Sequence, residues 1–186
     1  RADLGGSGVM FSLDTETGFD KVVLINAAWG LGENVVQGAV DPDEYQVYKP
    51  FLDRPELTPI VHKRLGPKMI KMIYDERAAG TIRNVATSKR ERRSFVLDDD
   101  EILELSRAAA VIEDHYGQPM DMEWARDGVG GPLYIVQARP ETVHSRADAG
   151  VLQLDLQQVD LKELSQEICG QMQVIAKAHS VELRDD

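Results

Sequence analysis

The segment 120–141 constrains the fold most, because its residues predict a hairpin of two short strands. Apolar and polar residues alternate on both sides of a glycine-rich turn, as in strands that bury one face. The turn contains Asp127-Gly128 and Gly130-Gly131-Pro132, and glycine and aspartate tolerate the backbone angles of a tight turn. The apolar residues predicted to share the core face are Met120, Met122, Trp124, Tyr134 and Val136.

The position of the turn also predicts which residues lie opposite each other. A hairpin centred on residue 130 pairs Glu123 with Gln137 and Asp121 with Arg139, so all four side chains lie on one face. Oxygen ligands from Glu and Gln suit Mg²⁺, which usually keeps waters and substrate phosphates as its other ligands. Arg139 can hold a phosphate oxygen with its planar fork of donors. These four residues, called the polar patch below, predict a surface that binds a metal-nucleotide complex.

The same spacing is also typical of an ordinary solvated strand face. An acidic strand opposite Gln and Arg can carry one cross-strand ion pair worth about 0.2 to 1 kcal/mol and no ligand. Spacing alone leaves both interpretations open.

The sequence of the hairpin resembles that of a known protein family. The matching motifs are DMEWA at 121–125 and LYIVQARPET at 133–142, and two upstream segments match as well, SGVMFSLDTETGF at 7–19 and AAWGLGENVVQGAVDPDEY at 27–45. They resemble the end of the nucleotide-binding domain of the phosphoenolpyruvate synthase (pyruvate, water dikinase) family, a member of the ATP-grasp group related to pyruvate phosphate dikinase. The resemblance covers residues 1–145. It implies an α+β fold, a partial ATP-grasp domain with an antiparallel or mixed sheet and packed helices.

The resemblance implies a role for each matching site residue. Glu123 and Gln137 take the places of the Mg²⁺ ligands, and Asp121 takes a supporting acidic place that also counts as nucleotide-binding. Arg139 takes the place of the catalytic contact to the transferred phosphate. Glu33, in Gly30-Leu31-Gly32-Glu33, takes a place near the ribose of ATP. A plain strand-to-helix turn is the alternative for that glycine-rich stretch.

The resembled enzyme phosphorylates pyruvate to phosphoenolpyruvate with ATP and releases AMP and phosphate. It uses a phosphorylated histidine on a swivelling domain and a separate pyruvate-binding domain. Neither His144 nor His179 lies in such a histidine motif, and the sequence starts at Arg1 without an initiator Met. We therefore expect a fragment that lacks these partner domains, supplies part of the Mg-ATP site and is inactive alone.

Composition narrows the class of partner. The chain has 186 residues, with 21 Lys and Arg against 32 Asp and Glu, and its net charge of -11 disfavours nucleic acid and anionic membranes. The single cysteine, Cys169, excludes an internal disulfide, and no apolar run approaches the roughly 20 residues of a membrane span. These features predict a cytoplasmic protein with no nucleic-acid or membrane partner.

The rest of the first 145 residues predicts a succession of short elements. Strands are expected at 9–13, 21–29 and 45–48, a short helix at 33–39, and a turn at Asp41-Pro42-Asp43. Segments 60–63 and 69–74 predict a hairpin, and 75–93 predicts a solvated loop. A contact between the basic run at 89–93 and the nucleotide phosphates is the alternative for that loop. Capping acids at 98–100 and Gly117 delimit a helix at 101–116. Its core stripe is Ile102, Leu105, Ala109, Ile112 and Tyr116.

Residues 146–186 predict a linker and a C-terminal amphipathic helix. Segment 159–184 weakly resembles the entrance to the ATPase domain of sensor histidine kinases, without that family's nucleotide-binding motifs. The alternative function is therefore a non-catalytic association module or signalling fusion. The apolar face of the helix would pack against this domain, against a second copy in a homodimer, or against a missing domain. This face comprises Leu161, Leu164, Ile168, Met172 and Ile175.

Overall fold

The computed structural model describes residues 1–54, 56–75 and 81–141. The strands of this part of the chain are β1 (Gly6–Phe11), β2 (Val22–Trp29), β3 (Asp43–Tyr48), β4 (Ile60–Arg64), β5 (Ile70–Tyr74), β6 (Ile82–Ala86), β7 (Met120–Arg126) and β8 (Leu133–Pro140). The helices are α1 (Glu33–Val36), α2 (Lys89–Arg93) and α3 (Asp99–Tyr116), with short 3-10 turns at Ala2–Leu4 and Lys49–Phe51. The result is a sheet-dominated α+β fold, as predicted.

Six of these strands form one antiparallel sheet in the order β4-β3-β2-β1-β7-β8. The apolar run of β2 lies inside this sheet, which explains why six of its eight residues are buried. Because side chains alternate along each strand, the sheet has a core face, which includes Met10, Ile25 and Met122, and an opposite face.

Helix α3 covers the core face of the sheet. It begins with a capping box between Asp98 and Glu101 and ends at Gly117, whose φ is 65°. Ile102, Leu105 and Ala109 are buried in the core, and Ile112 packs against it. The predicted helix and its stripe are confirmed, except at Tyr116, which is 55% exposed.

Two predictions for residues 60–93 are wrong. Strands β4 and β5 do not form a hairpin, because β4 pairs with β3 while β5 pairs with β6 in a separate two-stranded sheet. The expected loop also contains β6 and α2. Helix α2 starts at a capping box between Ser88 and Glu91, a Ser-x-x-Glu signal that the sequence carries and the loop prediction missed.

Asp43 is not a turn residue. It is the first residue of β3 and is fully buried, with its carboxylate paired to the ammonium of Lys68, which is also fully buried. The Asp-Pro-Asp sequence predicted a turn, but Asp43 lies in the strand, where the buried Lys68 compensates its charge.

No helix among the described residues is both long and apolar enough to cross a membrane. The predicted C-terminal helix, the homodimer and the resemblance to sensor histidine kinases concern residues outside the described part of the chain.

Candidate functional site

The polar patch forms at the pairing of β7 with β8. Asp121 lies opposite Arg139 and Glu123 lies opposite Gln137, which confirms the predicted register. Strand β1 flanks β7 on its other side, with Val9 beside Glu123. The sheet therefore brings the two pairs together on the face that α3 does not cover.

A β-bulge corrects the rest of the predicted hairpin. Beyond Glu123 the register shifts by one residue, so that Trp124 pairs with Ile135. Ile135 consequently packs against the core, whereas Tyr134 and Val136 are 54% and 60% exposed. The prediction that Tyr134 and Val136 face the core is wrong, because the bulge turns them outward.

Asp121 holds Arg139 in a defined orientation. The Nε–H of Arg139 donates to Oδ2 of Asp121 at 2.8 Å, and Nη2 lies 2.7 Å from the same oxygen in an ion pair. The hydrogen bond and the negative charge of Asp121 raise the pKa of Arg139, and Glu123 and Glu141 add to the effect. The side chain of Asp121 is 12% exposed and that of Arg139 is 59% exposed. A largely buried carboxylate therefore orients a guanidinium that remains accessible to solvent.

Gly30 positions Glu33. At the end of β2, Gly30 has a φ of 85°, and a Cβ there would collide with the carbonyl oxygen of Met72 in β5. The hydroxyl of Ser7 donates to the carbonyl of Gly30 at 2.6 Å, which joins this turn to β1. Helix α1 then begins at Glu33, so the predicted sharp turn is confirmed, although the helix ends at Val36 rather than at residue 39.

Glu33 and Glu123 line one cavity of about 590 Å³. Its polar lining also includes Ser7 and Gln37, and its apolar lining includes Leu31, Val36, Tyr74, Ile82 and Val136. Asp121, Gln137 and Arg139 lie outside this lining, next to it on the same hairpin. A larger cavity of about 930 Å³, bordered by Trp29, Arg90 and Arg126, contains none of the predicted site residues.

Comparison with known proteins identifies the family. The family model described as "Pyruvate phosphate dikinase, AMP/ATP-binding domain" matches residues 1–158. The chain belongs to this family. A nucleotide-binding role is therefore the expected role of an AMP/ATP-binding domain such as this one.

Similar proteins include several phosphoenolpyruvate synthases. That of Synechocystis sp. is 54% identical over 89% of this chain and 20% of its own length. That of Pseudomonas aeruginosa is 55% identical over 82% of this chain and 20% of its own length, and that of Escherichia coli is 53% identical over 78% and 19%. The chain thus spans about a fifth of the length of the curated relatives it matches.

The donor atoms of the polar patch fit Mg²⁺. No group of three or more His, Cys, Asp or Glu side chains in the described part of the chain is arranged to hold a metal ion. Glu123 and Gln137 offer two oxygen ligands on facing strands. Mg²⁺ is commonly held by one or two protein oxygens together with waters and phosphates, whereas structural zinc sites require four protein ligands.

Helix α2 carries the basic run at 89–93 of the AMP/ATP-binding domain. Within α2, Glu91 accepts a hydrogen bond from Lys71 at 2.5 Å. Burial alone would raise the pKa of Glu91, but hydrogen bonds from Lys71 and Ser88 lower it overall. None of residues 89–93 lines the Glu33–Glu123 cavity. The alternative of a phosphate contact from this run therefore finds no support in the cavity lining.

Proposed function

We propose that this chain supplies part of the Mg-ATP site of a phosphoenolpyruvate synthase, within an ATP-grasp fold. The whole protein would convert ATP, pyruvate and water into AMP, phosphate and phosphoenolpyruvate. The observation that carries the proposal is the pairing of Glu123 with Gln137 beside the Asp121–Arg139 pair, in a chain of the AMP/ATP-binding domain family.

Each site residue has a distinct part in this proposal. Glu123 and Gln137 hold Mg²⁺ through their side-chain oxygens. Arg139 donates hydrogen bonds to the phosphoryl group being transferred, and Asp121 keeps the guanidinium in place. Glu33 accepts hydrogen bonds from the ribose hydroxyls. When bound, Mg²⁺ neutralises charge on the phosphate oxygens.

This division of labour suits phosphoryl transfer, which depends mainly on positioning and on stabilisation of negative charge. A guanidinium already oriented by a carboxylate does not have to be ordered when the nucleotide arrives. Arg139 contacts Asp121 through Nε and Nη2, so the Nη1 donors take no part in this pair.

The proposal also includes the setting of the whole protein. The phosphohistidine and pyruvate-binding domains are its expected partners, and a cytoplasmic location without nucleic-acid or membrane partners stays a prediction from composition. The boundary between a domain at 1–145 and an appendage at 146–186 stays a prediction as well.

Calorimetric titration of ATP into this chain, with and without Mg²⁺, tests the site. We expect weak binding that requires Mg²⁺, and loss of the binding heat in both Glu123→Ala and Arg139→Ala, because one variant removes a metal ligand and the other a phosphate donor. Glu104→Ala is the matched control, since Glu104 is exposed on α3 and lies on the other side of the sheet. Binding that ignores Mg²⁺ and survives both substitutions would contradict the proposal.

A further inference from the structure

The cavity beside the polar patch has an apolar wall with no assigned role. Tyr74 and Ile82 are direct cross-strand partners at the end of the β5–β6 hairpin, and both line this cavity. They are 43% and 41% exposed, and the exposed Val36 and Val136 line the same cavity. Large apolar side chains exposed together in a concave site are typical of a surface that packs against an apolar ligand group.

The order of groups along β7 indicates which ligand group reaches this wall. Asp121, Glu123 and Ala125 follow each other on one face of the strand, and Arg139 lies opposite Asp121. Two residues of a strand span about 7 Å, so the distance from the Asp121 position to the Ala125 position is about 13 Å. Ala125 lines the cavity. A phosphate chain near Arg139 and Glu123 would therefore carry the rest of the nucleotide into the cavity.

Contacts with α1 and the Gly30 turn hold the wall in place. The side-chain Nδ2 of Asn34 donates to Oδ1 of Asn84 in β6 at 2.8 Å. The backbone N–H of Leu31 donates to the carbonyl of Met72 in β5 at 2.9 Å. The same turn that positions Glu33 thus fixes the hairpin that carries Tyr74.

We propose that Tyr74 and Ile82 form the surface on which the adenine ring of ATP packs, and that Tyr74 determines the affinity for the base. A tyrosine ring supplies a flat, weakly polar face that favours stacking with a purine, and Ile82 extends this face across the strand pair. The inference rests on the proposed function, because it uses the phosphate end of the site to orient the nucleotide.

Titration of two ligands, one with and one without the adenine base, separates the contribution of the base to the affinity from that of the phosphates. Mg-ATP and Mg-tripolyphosphate are titrated into the ¹⁵N-labelled 186-residue chain, and affinities are read from amide shifts at concentrations up to millimolar. Tyr74→Ala should weaken Mg-ATP about tenfold and leave Mg-tripolyphosphate unchanged, since stacking is worth about 1 to 3 kcal/mol per base. Tyr74→Phe keeps the ring and should retain the affinity for Mg-ATP.

Tyr116→Ala is the matched control, because Tyr116 is 55% exposed on α3 and does not line the cavity. The amide spectrum of each variant also shows whether it is folded, and Ile82→Ala gives a second route to the same result. If Tyr74→Ala and the unaltered chain bound Mg-ATP with equal affinity, the proposed adenine-binding role of the wall would be wrong. The proposed function of the chain would not be affected. Failure of the unaltered chain to bind either ligand would overturn the proposed function and the wall with it.

Discussion

At the scale of single residues, Asp43 and Lys68 form an ion pair in which both side chains are fully buried. Besides Lys68, the carboxylate of Asp43 accepts the backbone N–H groups of Gly66 and Val96, each at 2.8 Å, and the hydroxyl of Tyr45 at 3.2 Å. Burial and the charge of Asp43 together raise the pKa of Tyr45. The pair therefore joins β3 to the turn before β5 and to the segment before α3.

Lys68→Met should strongly destabilise the fold, because it leaves the carboxylate of Asp43 buried without a counter-charge. The expected loss in the free energy of unfolding is about 3 to 5 kcal/mol. Urea unfolding followed by tryptophan fluorescence measures it, since Trp29 and Trp124 are both located in the described domain.

The matched control is Lys21→Met, in which the same side chain is removed from an exposed pair with Asp20. That pair contributes at most about 1 kcal/mol, because water already solvates both charges. If both variants unfolded at the same urea concentration, Asp43 would not depend on Lys68 for its charge compensation.

At the scale of elements, the junction between the end of β2 and strand β5 connects the two sheets. Gly30 lets β2 turn away beside β5, and the backbone of Leu31 then bonds to Met72. The two-stranded sheet β5–β6 is attached to the rest of the domain partly through this junction. Position and stability of the cavity wall are therefore linked to one glycine.

Gly30→Ala should destabilise the domain more than Gly38→Ala. Both glycines have positive φ, 85° and 66°, but a Cβ at Gly38 meets nothing within 4 Å. The backbone penalty alone costs about 1 kcal/mol, and the collision with Met72 adds about 1 to 3 kcal/mol at Gly30. Urea unfolding of the two variants side by side measures the difference, and equal losses would show that β5 can move away from the turn at little cost.

Local signals predicted some elements and missed others. The capping acids and the apolar stripe predicted α3, because both signals lie within the helix itself. The pairing of β5 with β6 was missed, since strand sequences specify one buried face but not the partner strand. The bulge that turns Val136 outward has no clear local signal in the hairpin sequence.

At the scale of the whole molecule, the six-stranded sheet separates the residues of the core from those of the proposed binding site. Helix α3 and the core lie on one face, and the polar patch lies on the other. The chain spans about a fifth of the length of the phosphoenolpyruvate synthases it matches. The site residues thus form one part of a larger proposed reaction centre.

We expect this chain alone to form no phosphoenolpyruvate from ATP and pyruvate. The proposed reaction needs a phosphohistidine carrier and a pyruvate site. The residues of the polar patch are assigned neither of these two roles. An assay that couples phosphoenolpyruvate formation to an indicator reaction measures this, with a full-length synthase as the positive control. Turnover by the chain alone would mean that its own residues carry out the complete reaction.

The sequence by itself determined the features that depend on neighbouring residues. Alternation predicted the buried Met120, Met122 and Trp124, and the motifs at 7–19 and 27–45 pointed to the family. The predicted pairing of Glu123 with Gln137 is confirmed, although a bulge separates this pair from the turn. These signals are short-range, so they can be read without knowing the fold.

Only the tertiary structure decided which distant residues meet. It buried Asp43 against Lys68, paired β5 with β6, and placed Glu33, Tyr74 and Glu123 around one cavity. The physical reason is that burial and strand pairing depend on the free energy of the whole packed chain. A charged residue such as Asp43 can be buried once a residue distant in sequence compensates its charge.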